Sequence, residues 1–137
     1  MALFKKKESV EFDATITFGR WLQYDETRRL VKITEGIKKV ISVDDIKSYQ
    51  LKYGDKIYNK ANLGKAIVGG ALFGASGVIL AGTHAEEYIS NLGIMINVND
   101  KFYCIPMIIG KMKKSSATNI LKQAENIIKF LDDVINN

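Results

Sequence analysis

The sequence predicts an α+β protein in which six or seven short antiparallel strands precede one amphipathic helix. Between residues 11 and 109, apolar and polar side chains alternate in several short runs, as they do in half-buried strands. From residue 120 onward, apolar side chains recur every three or four positions, as on one face of a helix. The 137 residues, 47% hydrophobic and 26% charged, fit one folded domain and exclude a disordered or disulfide-built one.

The first part of the chain predicts a strand, a hairpin and a further short strand. Residues 11–18 alternate strictly, which predicts a half-buried strand. Residues 21–24 and 29–34 flank a polar turn and predict a hairpin. After the turn signal Glu-Gly, a short strand is expected around residues 40–43.

A second group of strands is predicted on either side of a glycine-rich segment. Residues 45–53 alternate again, which puts Tyr49 and Leu51 on one face together with Lys47, and Ile46 on the opposite face. After the segment, two runs flank an Asn-Asp-Lys turn and predict another hairpin.

The second run of that hairpin, residues 102–109, contains the single proline and the single cysteine of the chain. Pro106 has no amide donor, so an edge position is expected for its strand. We expect Cys104 to be a small buried side chain, because one cysteine cannot form an internal bridge and no histidine is near it in the sequence.

The last element is a predicted amphipathic helix that can cover the open end of a bent sheet. Such a helix after six or seven strands is the element order of a pleckstrin-homology-like barrel with a C-terminal capping helix. We therefore expect a basic tail at residues 1–10 and a single pleckstrin-homology-like domain at residues 11–137. The apolar stripe of the helix consists of Ile120, Ala124, Ile127, Ile128, Leu131, Val134 and Ile135.

An uncharged stretch of 18 residues, 66–83, interrupts the strands. Its length reaches the lower limit for a membrane-spanning helix, but five of its residues are glycine, which disfavours one continuous helix. We predict a hairpin of two short helices, inserted at about residues 60–88. Small residues recur four apart, which lets two backbones approach closely. Three alternatives remain open: the hairpin packs on its own domain, packs against another copy or a partner, or enters a membrane.

Catalytic and cofactor sites are not predicted. His84 is the only histidine, and its neighbouring carboxylates do not make up the three or four ligands of a metal site. The glycines match neither phosphate-binding pattern, GxGxxG or GxxxxGK followed by Ser or Thr, and Lys65 precedes them. We therefore predict a protein that is not an enzyme and has no cofactor, no metal and no small-molecule substrate.

The net charge of +5 comes from the first half of the chain, where residues 1–65 hold 14 basic and 9 acidic side chains. Lys5, Lys6 and Lys7 could contact an anionic surface. Nucleic acid is a less favoured partner, because most of the basic residues are lysine and arginine reads bases better. The N-terminus lacks the apolar core of a secretory signal, which predicts a cytoplasmic protein, with membrane association as an alternative.

The run DDIKSYQLKYGDK, the segment LGKAIVGGALFGASGVILAG and the run ISNLGIMINVNDKFYCIPMI together resemble a domain of unknown function found in low-GC bacteria and their phages. The glycine-rich GGxLFGxxG motif is the most specific part, and the similarity covers about residues 40–135. In that family the domain is often linked to a zinc ribbon or a SHOCT module. A single cysteine excludes the zinc ribbon here, so the resemblance implies a stand-alone member without an assigned reaction.

From these observations we expect a binding or assembly module that acts by protein–protein contact, with a second copy or a host protein, and is encoded by a phage or mobile element. The alternative is a peripheral membrane protein that uses Lys5, Lys6, Lys7 and the apolar hairpin. The residues predicted to form the partner-binding or self-interface are Ile67, Gly70, Phe73, Gly74, Gly77 and Ile79.

Overall fold

A computed structural model describes residues 11–63 and 88–135 of the chain. These residues form two four-stranded antiparallel sheets and a C-terminal helix, α1, so the α+β class is confirmed. The described part has eight strands, more than the six or seven predicted, and neither sheet closes on itself. The elements are β1 Ile16–Phe18, β2 Leu22–Asp25, β3 Leu30–Ile33, β4 Lys39–Ser42, β5 Ile46–Tyr53, β6 Lys56–Asn59, β7 Tyr88–Val98, β8 Lys101–Lys113 and α1 Thr118–Ile135.

The first sheet has the order β1-β2-β3-β4, and β2 and β3 form the predicted hairpin. The strand predicted at residues 11–18 is wrong in its extent, because β1 contains only its last three residues. Upstream of β1, isolated hydrogen bonds join the chain to the end of β2 and the following turn, and the Thr15 N–H donates to the Tyr24 carbonyl at 2.7 Å. The Asp13 N–H donates to Asp25 Oδ2 at 2.9 Å, and the Glu26 N–H donates to Thr15 Oγ1 at 3.1 Å.

The second sheet has the order β6-β5-β7-β8, so β5 lies between β6 and β7. β6 and β7 both run antiparallel to β5 and hence parallel to each other. Three of the four residues of β6 are exposed, so buried and exposed side chains do not alternate along it. For this reason the strand was not predicted from the sequence. A helical turn at residues 60–63 follows β6 and ends at the fully buried Leu63. The chain returns to the sheet at Tyr88.

The faces predicted for β5 are correct except at its first residues. Tyr49 and Leu51 are fully buried, but Lys47 is exposed, and Ile46, predicted on the opposite face, is buried as well. The register with β7 shifts between Ile46 and Ser48. This bulge inserts one residue, Lys47, and returns the Ile46 side chain to the core.

β7 and β8 form the predicted hairpin, with β8 at the edge of the sheet as Pro106 predicted. The register shifts twice, between Ser90 and Leu92 and between Leu92 and Gly93. At the first shift, two residues of β8 lie opposite the single residue Asn91. Such bulges increase the twist of a strand pair and end its regular ladder.

Helix α1 packs against both sheets and completes the core. The Phe130 ring lies 5.1 Å from the Phe18 ring and 4.7 Å from the Tyr24 ring, centroid to centroid. On the second sheet, the Tyr49 hydroxyl donates a hydrogen bond to Asp132 Oδ1 at 2.7 Å. The predicted apolar stripe is buried at Ala124, Ile127, Ile128, Leu131 and Val134.

Candidate functional site

The residues predicted from the sequence to contact partners lie outside the described part of the chain. Of the hairpin predicted at about residues 60–88, the glycine-rich part falls within residues 64–87, and the predicted basic tail falls within residues 1–10. The structure therefore does not place the predicted interface residues Ile67, Gly70, Phe73, Gly74, Gly77 and Ile79, or the lysines Lys5, Lys6 and Lys7. The candidate site is built instead from surfaces of the two sheets.

The second sheet has one face on the core and one face turned away from it. We call the outer face the part of the latter that is formed by β5, β6, residues 93–97 of β7 and residues 102–106 of β8. The strand registers align Lys52 with Ile57 and Gly93, and Gln50 with Met95. Alternation along each strand then separates these residues from the buried side chains. The outer face consists of Ser48, Gln50, Lys52, Ile57, Asn59, Gly93, Met95, Asn97, Phe102, Cys104 and Pro106.

The outer face carries little charge for a surface of this protein. Lys52 is its one charged residue, whereas eleven positions at the chain's average of 26% would hold about three charges. Two large apolar side chains are more than half exposed there, Ile57 at 57% and Phe102 at 51%. When one face of a sheet is in water, the side chains on that face are usually polar. A face with few charges and with exposed large apolar side chains is instead typical of a surface that contacts another protein.

Cys104 lies on the outer face and is exposed, so the prediction of a buried side chain is wrong. The alternation of β8 explains the error, because Ile105 and Met107 take the inward positions. Partial burial of the sulfur raises the pKa of the Cys104 thiol, and the charge of Lys52 opposes that rise only in part. The thiol is therefore protonated near neutral pH and is a poor nucleophile.

A cleft of about 410 Å³ lies between the β5–β6 turn and the start of β7. It is lined by mixed polar groups that include one carboxylate, Asp55, and one ammonium group, Lys56. No histidine or thiol is among the described residues that line it. Across residues 11–63 and 88–135, no group of three or more His, Cys, Asp or Glu side chains could hold a metal ion.

Two carboxylates are buried among the described residues, Asp25 and Glu125, and the burial of Asp25 was not anticipated from the sequence. Burial opposes the ionisation of Asp25, but hydrogen bonds from the Asp13 N–H and from Arg28 outweigh that effect and lower its pKa. Arg28 Nη1 lies 2.9 Å from Asp25 Oδ2, and Arg28 Nη2 lies 2.8 Å from Glu11 Oε2. Each oxygen of Asp25 accepts a hydrogen bond from the chain that flanks the first sheet, from Asp13 before β1 and from Arg28 in the β2–β3 turn, so we assign it a structural role.

The part of the chain that the structure describes contains no helix both long and apolar enough to cross a lipid bilayer. No family model, no curated protein and no solved structure matches this chain. The family resemblance of the glycine-rich motif thus stays a prediction.

Proposed function

We propose that this chain is a non-enzymatic binding and assembly module that acts by contact with a second copy of itself or with a host protein. Its two four-stranded sheets and C-terminal helix support a pleckstrin-homology-like scaffold for this role. The origin that we propose, a phage or mobile element, rests on the resemblance of the glycine-rich motif.

The charge-poor outer face carries this proposal. The central part of a protein interface is depleted in charged residues and enriched in aromatic residues and methionine. Phe102, Met95 and Ile57 supply such side chains, and Lys52 is the one charge among them. A surface that met only water would gain nothing from this composition.

The glycine-rich segment is the second contact element of the proposal. Its small residues, including Gly70 and Gly74, allow close approach of a partner backbone. The segment starts after β6 and ends before β7, two strands that contribute to the outer face. In sequence, the segment thus connects two strands of the sheet that carries the outer face.

Size-exclusion chromatography with light scattering, in buffer without detergent, tests this function. We expect a discrete dimer or larger ring for the wild type, and smaller species for Gly70→Leu/Gly74→Leu and for Met95→Lys/Phe102→Lys. Leucine would obstruct the close approach, and lysine would place like charges across the interface. Ile16→Lys on the first sheet, where Ile16 is 41% exposed, is the matched control and should leave the mass unchanged.

Circular dichroism of each variant separates lost contact from lost folding. A variant that changes its mass but keeps its spectrum supports the proposal. Loss of structure in the glycine variant would assign the segment to the core of the domain instead. A monomeric wild type would contradict self-assembly and leave contact with a host protein as the form to test.

A further inference from the structure

The far end of the β7–β8 hairpin forms a corner that consists of Tyr88, Ser90, Ile109, Lys111 and Lys113. The registers pair Tyr88 with Lys113 and Ser90 with Lys111. Between these pairs Ile89 is fully buried, so alternation turns all four paired side chains away from the core. The Lys111 Nζ lies 5.9 Å from the centroid of the Tyr88 ring, which confirms that the two share one side of the hairpin.

Ile109 is the most exposed large apolar side chain among the described residues, at 83%. Its backbone is held in place, because the next residue, Gly110, has a φ of +81° and donates its N–H to Asn91 Oδ1 at 3.0 Å. Its other neighbour, Ile108, is buried. The bulge therefore holds the Ile109 side chain in water, and exposure of a large apolar side chain costs free energy. An apolar side chain exposed in this way indicates contact with another surface.

The described residues of the corner carry two positive charges and no negative one. Lys111 and Lys113 have no carboxylate among the neighbours on their own two strand ends, residues 88–90 and 107–113. Asp55 lies across the adjoining cleft next to Lys56, so that turn adds no net charge. Glu86 and Glu87, which precede Tyr88 in the sequence, lie outside the described residues.

We infer that this corner docks on an anionic lipid surface, with Ile109 entering the headgroup region and the two lysines on the acidic headgroups. Apolar side chains beside lysines bind such interfaces, and tyrosine is enriched at that depth of a bilayer. The corner adjoins the outer face on the same side of the sheet but shares no residue with it or with the glycine-rich segment, so separate variants test this inference and the proposed protein contact.

The same charges would also attract an acidic polypeptide, but the backbone of β8 favours the lipid. An added peptide strand needs a regular edge with free donors and acceptors. Pro106 removes one donor, and the bulge at Ile109 and Gly110 interrupts the ladder. A membrane surface requires no such ladder.

Vesicle flotation with the full-length chain tests the inference. We expect binding to phosphatidylcholine vesicles that contain phosphatidylserine, little binding to pure phosphatidylcholine, and weakening as salt is added. Neutralising a lysine should weaken binding about fivefold, so Lys111→Gln/Lys113→Gln should weaken it roughly thirtyfold. Ile109→Ser should also weaken it, because the apolar contact is lost.

Matched controls remove the same groups elsewhere. Lys47→Gln/Lys122→Gln neutralises two exposed lysines, and Ile37→Ser removes an isoleucine that is 58% exposed at another site. Equal losses in these controls, or no binding of the wild type at low salt, would overturn the inference. Vesicle binding of Lys5→Gln/Lys6→Gln/Lys7→Gln measures how much the N-terminal lysines contribute to binding apart from the corner.

Hydrogen exchange of the wild type gives a second test that needs no variant. Amides of residues 109–113 should exchange more slowly with phosphatidylserine vesicles than with pure phosphatidylcholine. Vesicle binding without protection at these amides would overturn the inference. So would poly-glutamate that protects the same amides as strongly as the vesicles, because the corner would then be a site for acidic polypeptides.

Discussion

Residues in the left-handed backbone region mark the tight turns and bulges of this protein. Asn99 and Asp100 have φ values of 52° and 70° and close the β7–β8 hairpin with a two-residue loop. The turn was predicted at this place but one residue longer, because Lys101 already pairs with Val98. Arg29, with a φ of 55°, was not anticipated, because arginine seldom takes this conformation. Its carbonyl accepts the Val43 N–H at 3.0 Å, which holds it there.

Two glycines allow a comparison of backbone strain with crowding. Gly110 has a positive φ and open space around the position of a Cβ, whereas a Cβ at Gly36, with a φ of +72°, would lie 2.9 Å from Pro106 Cγ. We expect Gly110→Ala to lower the free energy of unfolding by about 1 kcal/mol, and Gly36→Ala by about 2–3 kcal/mol. Urea denaturation measures both values, and equal losses would contradict the crowding argument.

Among the elements, helix α1 is the one that joins the two sheets. Phe130 contacts rings of β1 and β2, and Asp132 accepts the hydrogen bond from Tyr49 of β5. The apolar stripe could be predicted, because helical spacing is a local pattern. The partner of Asp132 could not, because it lies 83 residues away in the sequence.

Removing the Tyr49 hydroxyl tests this link between helix and sheet. We expect Tyr49→Phe to lower the free energy of unfolding by about 1–2 kcal/mol, since a hydrogen bond to a carboxylate is lost from a fully buried ring. The half-buried Tyr103 provides the control Tyr103→Phe, which should change the value little. Urea denaturation measures the free energy of unfolding of both variants. Equal losses in Tyr49→Phe and Tyr103→Phe would show that the hydrogen bond from Tyr49 to Asp132 does not stabilise the fold.

Hairpins were the most predictable elements, and strand ends and bulges were the least. The β2–β3 turn contains Glu, Thr and two Arg and the β7–β8 turn contains Asn and Asp, and such polar residues between apolar runs are a local signal. The inward turn of Ile46 depends on a register shift with β7, more than forty positions along the chain. The exposure of Cys104 likewise depends on which face of β8 meets the core.

At the scale of the whole molecule, the class and the C-terminal helix were predictable, but the order of the second sheet was not. Alternation of apolar and polar residues predicts a strand and its buried face, but it does not predict which strands pair with it. β5 pairs with β6 next to it in the sequence, and also with β7, which follows the long segment. The outer face emerges only from these pairings, because Ile57, Gln50 and Phe102 are scattered along the chain.

The stability of the fold should decline at both extremes of pH. The pKa of Asp25 is lower in the folded chain than in the unfolded one, so its contribution is present above the unfolded pKa and is lost as the pH falls. Burial and the bond to Asp132 raise the pKa of Tyr49 above 10, so its contribution is present below the unfolded pKa and is lost as the pH rises above it. Urea denaturation at a series of pH values measures this dependence. The free energy of unfolding should fall less steeply toward acid pH in Asp25→Asn, and less steeply toward alkaline pH in Tyr49→Phe. A pH dependence unchanged from the wild type would contradict these assignments.

The position of β5 between β6 and β7 also bears on how the chain folds and on how it can vary. β5 meets β6 through a two-residue turn, whereas its pairing with β7 must first close a loop of 28 residues, 60–87. Loop-closure entropy grows only with the logarithm of length, so doubling this loop would cost about 0.6 kcal/mol. Added length between Leu63 and β7 is therefore a small entropic cost for the fold, so the length of this connection can vary upward without a large loss of stability.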